Sequence, residues 1–180
     1  MLPESYQRTG ASRASLASGR VLSGVDEPLR VTYISRRPYA TSDGQKSTAR
    51  RIGNEDDLMR MLEGMAGIRA ELVDFAQMDL LAQLTRISQT DILLGMHGAG
   101  LGWVVALPPH GALFELWPQQ TGVWQCFEHM AEWSGLLYRR VSHSKRGNGE
   151  VTTVNVDAIK KTLNDLVPQV KMRRTEQVAS

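Results

Sequence analysis

Cysteine is almost missing from this 180-residue sequence: Cys126 stands alone. That excludes an internal disulfide framework and a cysteine-based zinc site, and one thiol leaves the redox compartment open. No apolar run approaches the ~20 residues that a membrane-spanning helix needs. The first residues lack an apolar h-region, so neither a signal peptide nor an anchor is expected there. Charge of one sign is also scarce. Lys and Arg number 21 against 19 Asp and Glu, a net +2 that does not by itself argue for nucleic-acid binding. Several motifs are missing too. Without G-x-G-x-x-G or G-x-x-x-x-G-K-[ST], a dinucleotide-binding Rossmann enzyme and a P-loop protein are disfavoured. Without G-x-S-x-G there is no hydrolase elbow. Without D-x-D there is no metal–diphosphate clamp of the common transferase type, and there is no Asn-x-Ser/Thr sequon. What is present, 42% apolar and 22% charged residues, is globular composition for about one domain.

The first 27 residues, rich in Ser, Gly and Arg, read as a linker or disordered segment. Leu29–Ser35 is β-branched and aromatic and predicts a strand. A polar, basic loop follows from Arg36 to Gly53. Asn54 is a good N-cap for a helix whose first turn holds Glu55, Asp56 and Asp57, and Leu58, Met61, Leu62 and Met65 form one stripe. A strand at Ala70–Phe75 comes next, then a helix at Leu80–Ser88 with Leu80, Leu81, Leu84 and Ile87 on one face. Asp91–Met96 is a continuous apolar run, as in a strand covered on both sides. Further strands are expected at Ala112–Trp117 and Leu136–Val141, with helices at 123–134 and 156–166. Residues 170–180 read as a frayed basic tail. Strands alternating with helices predict an α/β fold: a Rossmann-like, mainly parallel sheet with helices on both faces, spanning 28–169. In such sheets ligands sit beyond the carboxyl ends of the strands. Residues just after strands are therefore site candidates.

The sharpest local signal is Gly95-Met-His-Gly-Ala-Gly-Leu101, directly after a buried strand. Gly98 and Gly100 let the backbone turn tightly and approach a ligand. N–H groups at a following helix start favour an anion. His97 suits a phosphate or a sugar hydroxyl, and a packed histidine in a strand-to-helix turn is the plain alternative. Arg36 and Arg37 follow the first strand, and the planar guanidinium fork suits a diphosphate. For either arginine alone, an exposed basic loop is the simpler reading, as it is for Arg50 and Arg51. Glu115 interrupts an apolar strand, where a carboxylate must be paired or bonded. It fits two ribose hydroxyls or a partner arginine equally well. Asp91 precedes its strand and so falls at the wrong end. Asp74 ranks below Glu115 as a ligand contact. His129 and His143 have no metal-ligand partner at usable spacing. The four tryptophans read as core or interface residues, and Cys126 as packed rather than nucleophilic.

Taken in order, Val31-Thr-Tyr-Ile-Ser-Arg-Arg37, Arg51-Ile-Gly-Asn-Glu-Asp-Asp-Leu58, Val73-Asp-Phe75, Thr90-Asp-Ile-Leu-Leu-Gly-Met-His-Gly-Ala-Gly-Leu101 and Leu113-Phe-Glu-Leu116 resemble glycosyltransferase family 61. The likeness covers about residues 29–141, and the His-Gly-Ala-Gly-Leu block is its hallmark. It implies the carboxyl-terminal, donor-binding half of a GT-B enzyme with two Rossmann-like halves. The implied reaction is inverting and metal-independent, with no cofactor. N-acetylglucosamine passes from UDP-GlcNAc to Ser/Thr hydroxyls of a protein acceptor, EGF-like domains among the candidates, in the endoplasmic-reticulum lumen. Arg36, His97, Gly98, Ala99, Gly100 and Leu101 match positions that line the nucleotide-sugar site, and Arg37 and Glu115 match as well. Gly102-Trp103 departs from the pattern, which usually has a small polar residue there. The amino-terminal half, where the catalytic base is expected, has no counterpart. A catalytically incomplete nucleotide-binding or interaction module of the same fold is the alternative.

Overall fold

A computed structural model of the chain describes residues 27–36, 39–40, 46–47, 51–118, 124–143, 145–146 and 151–179. The expected linker, apart from Glu27, lies outside them, as do Arg37 and Arg50. Five strands form the main sheet: β1 (Leu29–Ile34), β2 (Ile68–Val73), β3 (Ile92–Met96), β4 (Ala112–Pro118) and β5 (Leu137–His143). Every pairing among them is parallel, in the order β2-β1-β3-β4-β5. The chain winds outward from β1 to β2, returns to β3 on the other flank of β1, and continues to β5. The carboxyl ends of β1 and β3 therefore flank the point where the winding reverses.

Alternation of side chains across the sheet divides the core in two. On one face Val31, Leu94 and Phe114 pack against α1 (Glu55–Glu63) and α4 (Val156–Ala179). On the other, Ile34, Leu93 and Leu113 meet α2 (Leu80–Ser88), a 3-10 segment (Ala99–Ala106) and α3 (Cys126–Trp133). β3 is buried at every position, as a doubly covered strand requires. Full burial of Leu58 and Leu62 on α1 is worth about 1.5–3 kcal/mol for each side chain.

Local sequence explains most boundaries, and the departures have physical causes. Asn54 precedes α1 but its side chain does not cap it. Its amide instead donates to the Val154 carbonyl (3.0 Å) and accepts from the Val154 N–H (2.9 Å), joining the starts of α1 and α4. The second strand begins at Ile68 and ends at Val73, because Asp74 accepts the Ala76 N–H and turns the chain into a short 3-10 segment. On α2 only Ile87 is buried, while Leu80 and Leu81 are exposed. Neighbouring helical positions point about 100° apart, so those two leucines cannot both face the sheet. Cys126 is likewise exposed, because the packed stripe of α3 is Phe127, Met130 and Ala131. Trp124 and Trp133 are exposed too, and only Trp117 of the four tryptophans is buried.

The largest correction concerns the end of the chain. Residues 170–179 are not a frayed tail. α4 continues through Pro168 to Ala179, with Val170 and Arg174 buried. Proline costs the helix one backbone bond. The stripe Ile159, Leu163, Leu166, Val170 nevertheless stays on the sheet, and beyond it a polar clasp closes the sheet's amino edge. Asp91, fully buried, accepts from the Arg30 N–H (2.7 Å), faces His110 Nε2 (2.7 Å) and lies 3.7 Å from Arg174 Nη1. His110 Nδ1 reaches Gln177 Oε1 at 2.8 Å, and Arg174 also donates to the Glu27 carbonyl. Removing the carboxylate would leave a buried cation and a buried imidazole without their acceptor. Asp91→Ala is therefore expected to lower the unfolding free energy in urea by about 3–5 kcal/mol. Glu63→Ala, at an exposed position of α1, should change it by less than about 0.5 kcal/mol.

Candidate functional site

Three chain segments meet at the carboxyl edge, where β1 and β3 part: Ser35-Arg36 after β1, His97–Gly100 after β3, and the end of β4 with the start of α3. The turn is built first. The His97 N–H extends the sheet by donating to the Leu116 carbonyl (2.9 Å), so the histidine is locked to the strand end. Its Nδ1 hydrogen-bonds Glu115 Oε1, and the other carboxylate oxygen accepts the Tyr138 hydroxyl at 2.6 Å. Glu115 has no exposed surface, and His97 is only 5% exposed. The rings of Trp117 and Phe127 pack edge-on against the imidazole at 4.6 and 5.0 Å. Trp124 lies 5.6 Å away, and Arg140 sits 5.1 Å from the centre of the Trp117 ring.

The carboxylate fixes the histidine's orientation. One carboxylate oxygen faces Nδ1 and the other accepts the Tyr138 hydroxyl, so the imidazole and the phenol are tied to the same group. Tyr138 keeps its proton: burial, then its hydrogen bond to Glu115, push its pKa well above the usual tyrosine value.

Arg36 approaches from β1. Its Nη2 donates to the His97 carbonyl (3.3 Å), and the guanidinium lies against Gly98. A Cβ built on Gly98 would come within 1.6 Å of Nη2, so only glycine admits the arginine here. Gly100 packs against Ile34, where an added Cβ would make ordinary contact at 3.4 Å. The first bond of the 3-10 segment runs from the Leu101 N–H to the Gly98 carbonyl. The N–H groups of Ala99 and Gly100 come before it and lack a helical acceptor. The edge thus brings a guanidinium beside the first N–H groups of the turn, donor types that suit an anion. Among the described residues, no three His, Cys, Asp or Glu side chains cluster closely enough to hold a metal ion.

Of the expected meeting of Arg36 with His97, Gly98 and Gly100, the structure places the guanidinium on the His97 carbonyl and against Gly98, while Gly100 packs on Ile34. Leu101 instead packs into the core. Arg37 is outside the described residues. Glu115 is corrected in its partners: it holds a histidine and a tyrosine rather than an arginine or ribose hydroxyls, because its side chain points into the sealed face beneath α3. Asp74 is taken by its own turn. Two residues went unnoticed in the sequence. Tyr138 gave no signal, as its partner lies 23 residues away. Glu55 read only as a helix-dipole residue, yet it is buried and accepts from Tyr33 (2.9 Å) and Ser35 (2.7 Å), pinning α1 beside Arg36.

Comparisons with known proteins bear on this edge. A family model described as glycosyltransferase 61 matches residues 10–114. The EGF domain-specific O-linked N-acetylglucosamine transferase of Drosophila melanogaster is 33% identical over 113 residues, covering 63% of this chain and 20% of the relative. That of Rattus norvegicus is 32% identical over 115 residues, with the same shares. The chain spans about a fifth of the length of these relatives. Among solved structures, a diflavin flavoprotein A3 from Nostoc sp. superposes with a TM-score of 0.53 at 13% identity. It covers 84% of this chain and 98% of that one, a likeness of fold alone.

Two expectations follow from the geometry. Gly98→Ala should force Arg36 away from the turn and lower unfolding free energy by about 1–3 kcal/mol in urea. Gly102→Ala, where an added Cβ meets nothing within 4 Å, should be neutral or stabilising by up to about 1 kcal/mol. The raised Tyr138 pKa has a definite sign. Folding favours its neutral form, so its contribution is complete below the ordinary tyrosine value of 10.0 and is lost as pH rises beyond it. Wild-type stability should thus fall more steeply above pH 10 than that of Tyr138→Phe, as read from urea midpoints across pH.

Proposed function

The chain belongs to glycosyltransferase family 61, and from that membership we propose that it forms the nucleotide-sugar-binding half of a protein-modifying transferase. The donor is UDP-GlcNAc, and the acceptor is a serine or threonine hydroxyl of a protein, EGF-like domains being the class that the similar enzymes are named for. On this reading the whole enzyme has two Rossmann-like halves in a GT-B arrangement. It inverts the anomeric centre without a divalent metal and works in the lumen of the endoplasmic reticulum. No helix among the described residues is long and apolar enough to cross a membrane.

The observation that carries this reading is the seating of the Arg36 guanidinium against Gly98, at the carboxyl edge between β1 and β3. Ligands of open parallel sheets bind where the strand order reverses, and this is that place. Negative charge builds on the diphosphate as the sugar leaves. Arg36 and the Ala99 and Gly100 N–H groups are fixed donors for it, and donors that need no rearrangement lower the barrier. His97 holds the turn in register through Glu115 and lines the same wall. Arg37, next in sequence, is the second arginine that the family motif offers to the nucleotide sugar. The acceptor base belongs to the other half. Orientation of acceptor against donor is worth on the order of 7–11 kcal/mol in favourable cases, so a lone half should bind nucleotide while transferring poorly.

Calorimetric titration with uridine diphosphate tests the assignment. Arg36→Ala and His97→Ala should each weaken binding by about 1–3 kcal/mol, whereas Lys161→Ala, exposed on α4, should leave it unchanged. Equal binding by both site variants and wild type would overturn the residue assignment. Efficient transfer from UDP-GlcNAc to an EGF-like domain by the 180-residue chain would overturn the half-enzyme reading. Nucleotide binding without transfer, even when a complementary half is supplied, would favour a non-catalytic module.

A further inference from the structure

A second basic site lies on the other half of the sheet, away from the strand ends just described. In the parallel register of β1 and β2, Arg30 stands beside Arg69 and Thr32 beside Glu71. These four alternate with Val31 and Ala70, which pack on the α1 and α4 side, so they share the face covered by α2. Like charges at adjacent positions of neighbouring strands repel, and a nearby opposite charge would offset that repulsion. Among the described residues no carboxylate here is left uncommitted. Glu71 is committed to Arg86 of α2 in an ion pair. Asp91 is buried and engaged by the Arg30 N–H, His110 and Arg174. The Arg30 side chain reaches only the neutral Gln89 amide, at 3.4 Å. Among the described residues Arg69 has no hydrogen-bond or ion-pair partner.

The two arginines open onto a polar cavity of about 220 Å³. Its remaining lining is Val31, Thr32, Glu71, Arg86, Gln89 and Thr90. Three guanidiniums thus face one carboxylate. The negative end of α2 points this way, with the Arg86 and Ile87 carbonyls covered. The Arg86 carbonyl accepts from the Gln89 N–H and the Thr90 hydroxyl, and the Ile87 carbonyl accepts from the Thr90 N–H. Thr32 and Thr90 hydroxyls lie 2.6 Å apart at the inner end, a hydroxyl pair beside the arginines.

We propose that this cavity binds a tetrahedral oxyanion of the phosphate class, held by the forks of Arg30 and Arg69 and independent of the nucleotide-sugar edge. The anion supplies the charge that the register of β1 and β2 omits, so its binding also relieves the repulsion between the strands. It is either a free ion or the phosphoryl group of a small organic monophosphate, since both present the same oxygens to a guanidinium fork.

The test is calorimetry of the 180-residue chain at low ionic strength. Inorganic phosphate and a sugar monophosphate are titrated separately into wild type, Arg30→Ala, Arg69→Ala and Arg36→Ala. The expected result is a phosphate site that persists in Arg36→Ala and weakens at least tenfold in both Arg30→Ala and Arg69→Ala. Phosphate should raise the melting temperature of wild type but not of Arg69→Ala. Without phosphate, Arg69→Ala should melt at or above the wild-type temperature, which shows that the variant is folded and that the repulsion is real. Tighter binding of the sugar monophosphate would mark a phosphoryl group as the natural occupant, and equal or weaker binding the free ion. Phosphate affinity unchanged in Arg69→Ala, or lost only in Arg36→Ala, would overturn the proposal. So would a wild-type chain that binds neither anion. Loss of uridine diphosphate binding in Arg36→Ala with phosphate binding intact would separate the two sites.

Discussion

Glu115 places a carboxylate at zero exposure in the middle of a parallel sheet. An unpaired charge there would cost several kcal/mol. It is tolerated because His97 and Tyr138 each engage one of its oxygens. That requirement runs outward through the structure. The histidine must sit at the end of β3 with Nδ1 turned inward, and β5 must bring Tyr138 alongside β4. The turn that follows His97 then has its carbonyl in the one place where Arg36 can reach it. A buried charge that must be satisfied thus becomes the means by which three strands position a guanidinium.

Strand order supplies the rest of the geometry. Because β1 lies between β2 and β3, the first strand and the third open onto the same crevice, and residues 61 positions apart meet there. Gly98 makes the meeting sterically allowed. On the opposite face Glu55 performs a similar service with Tyr33 and Ser35, so that both sides of the β1 terminus are held by a buried carboxylate. Supports on two sides hold the end of β1 in place, which on the proposed reading spares its donors a costly reorientation.

The two edges of the sheet differ in kind. At the amino edge the polar groups face one another: Asp91, His110, Arg174 and Gln177 are consumed in joining α4 to the strands. A closed network of this kind stabilises, because each buried polar group has its partner. At the carboxyl edge the first N–H groups of the 3-10 turn precede its first internal bond, from the Leu101 N–H to the Gly98 carbonyl. Asp91 and Glu115 are both buried carboxylates paired with histidine, yet only Glu115 belongs to the edge where the winding of the sheet opens a crevice.

Sequence alone determined the class of fold and pointed to two segments, after β1 and after β3, that meet at the carboxyl edge. Alternating strands and helices with a doubly apolar β3 are local patterns, set by side-chain period and turn residues. The rule that ligands sit after strands singled out Arg36 and the His97–Gly100 turn without any knowledge of contacts. Where the reading failed, the deciding contact was distant in sequence. Val170 and Arg174 are held in a helix by the sheet and by Asp91, so local composition suggested a frayed end that packing does not allow. Glu115 was recognisable as a carboxylate that needed a partner, but Tyr138 could be identified only once β5 lay beside β4. The unbalanced pair Arg30 and Arg69 is invisible until register sets two separate strands side by side. Periodicity is written in neighbouring residues, whereas the pairing of charges is written in strand order, and only the folded sheet supplies that.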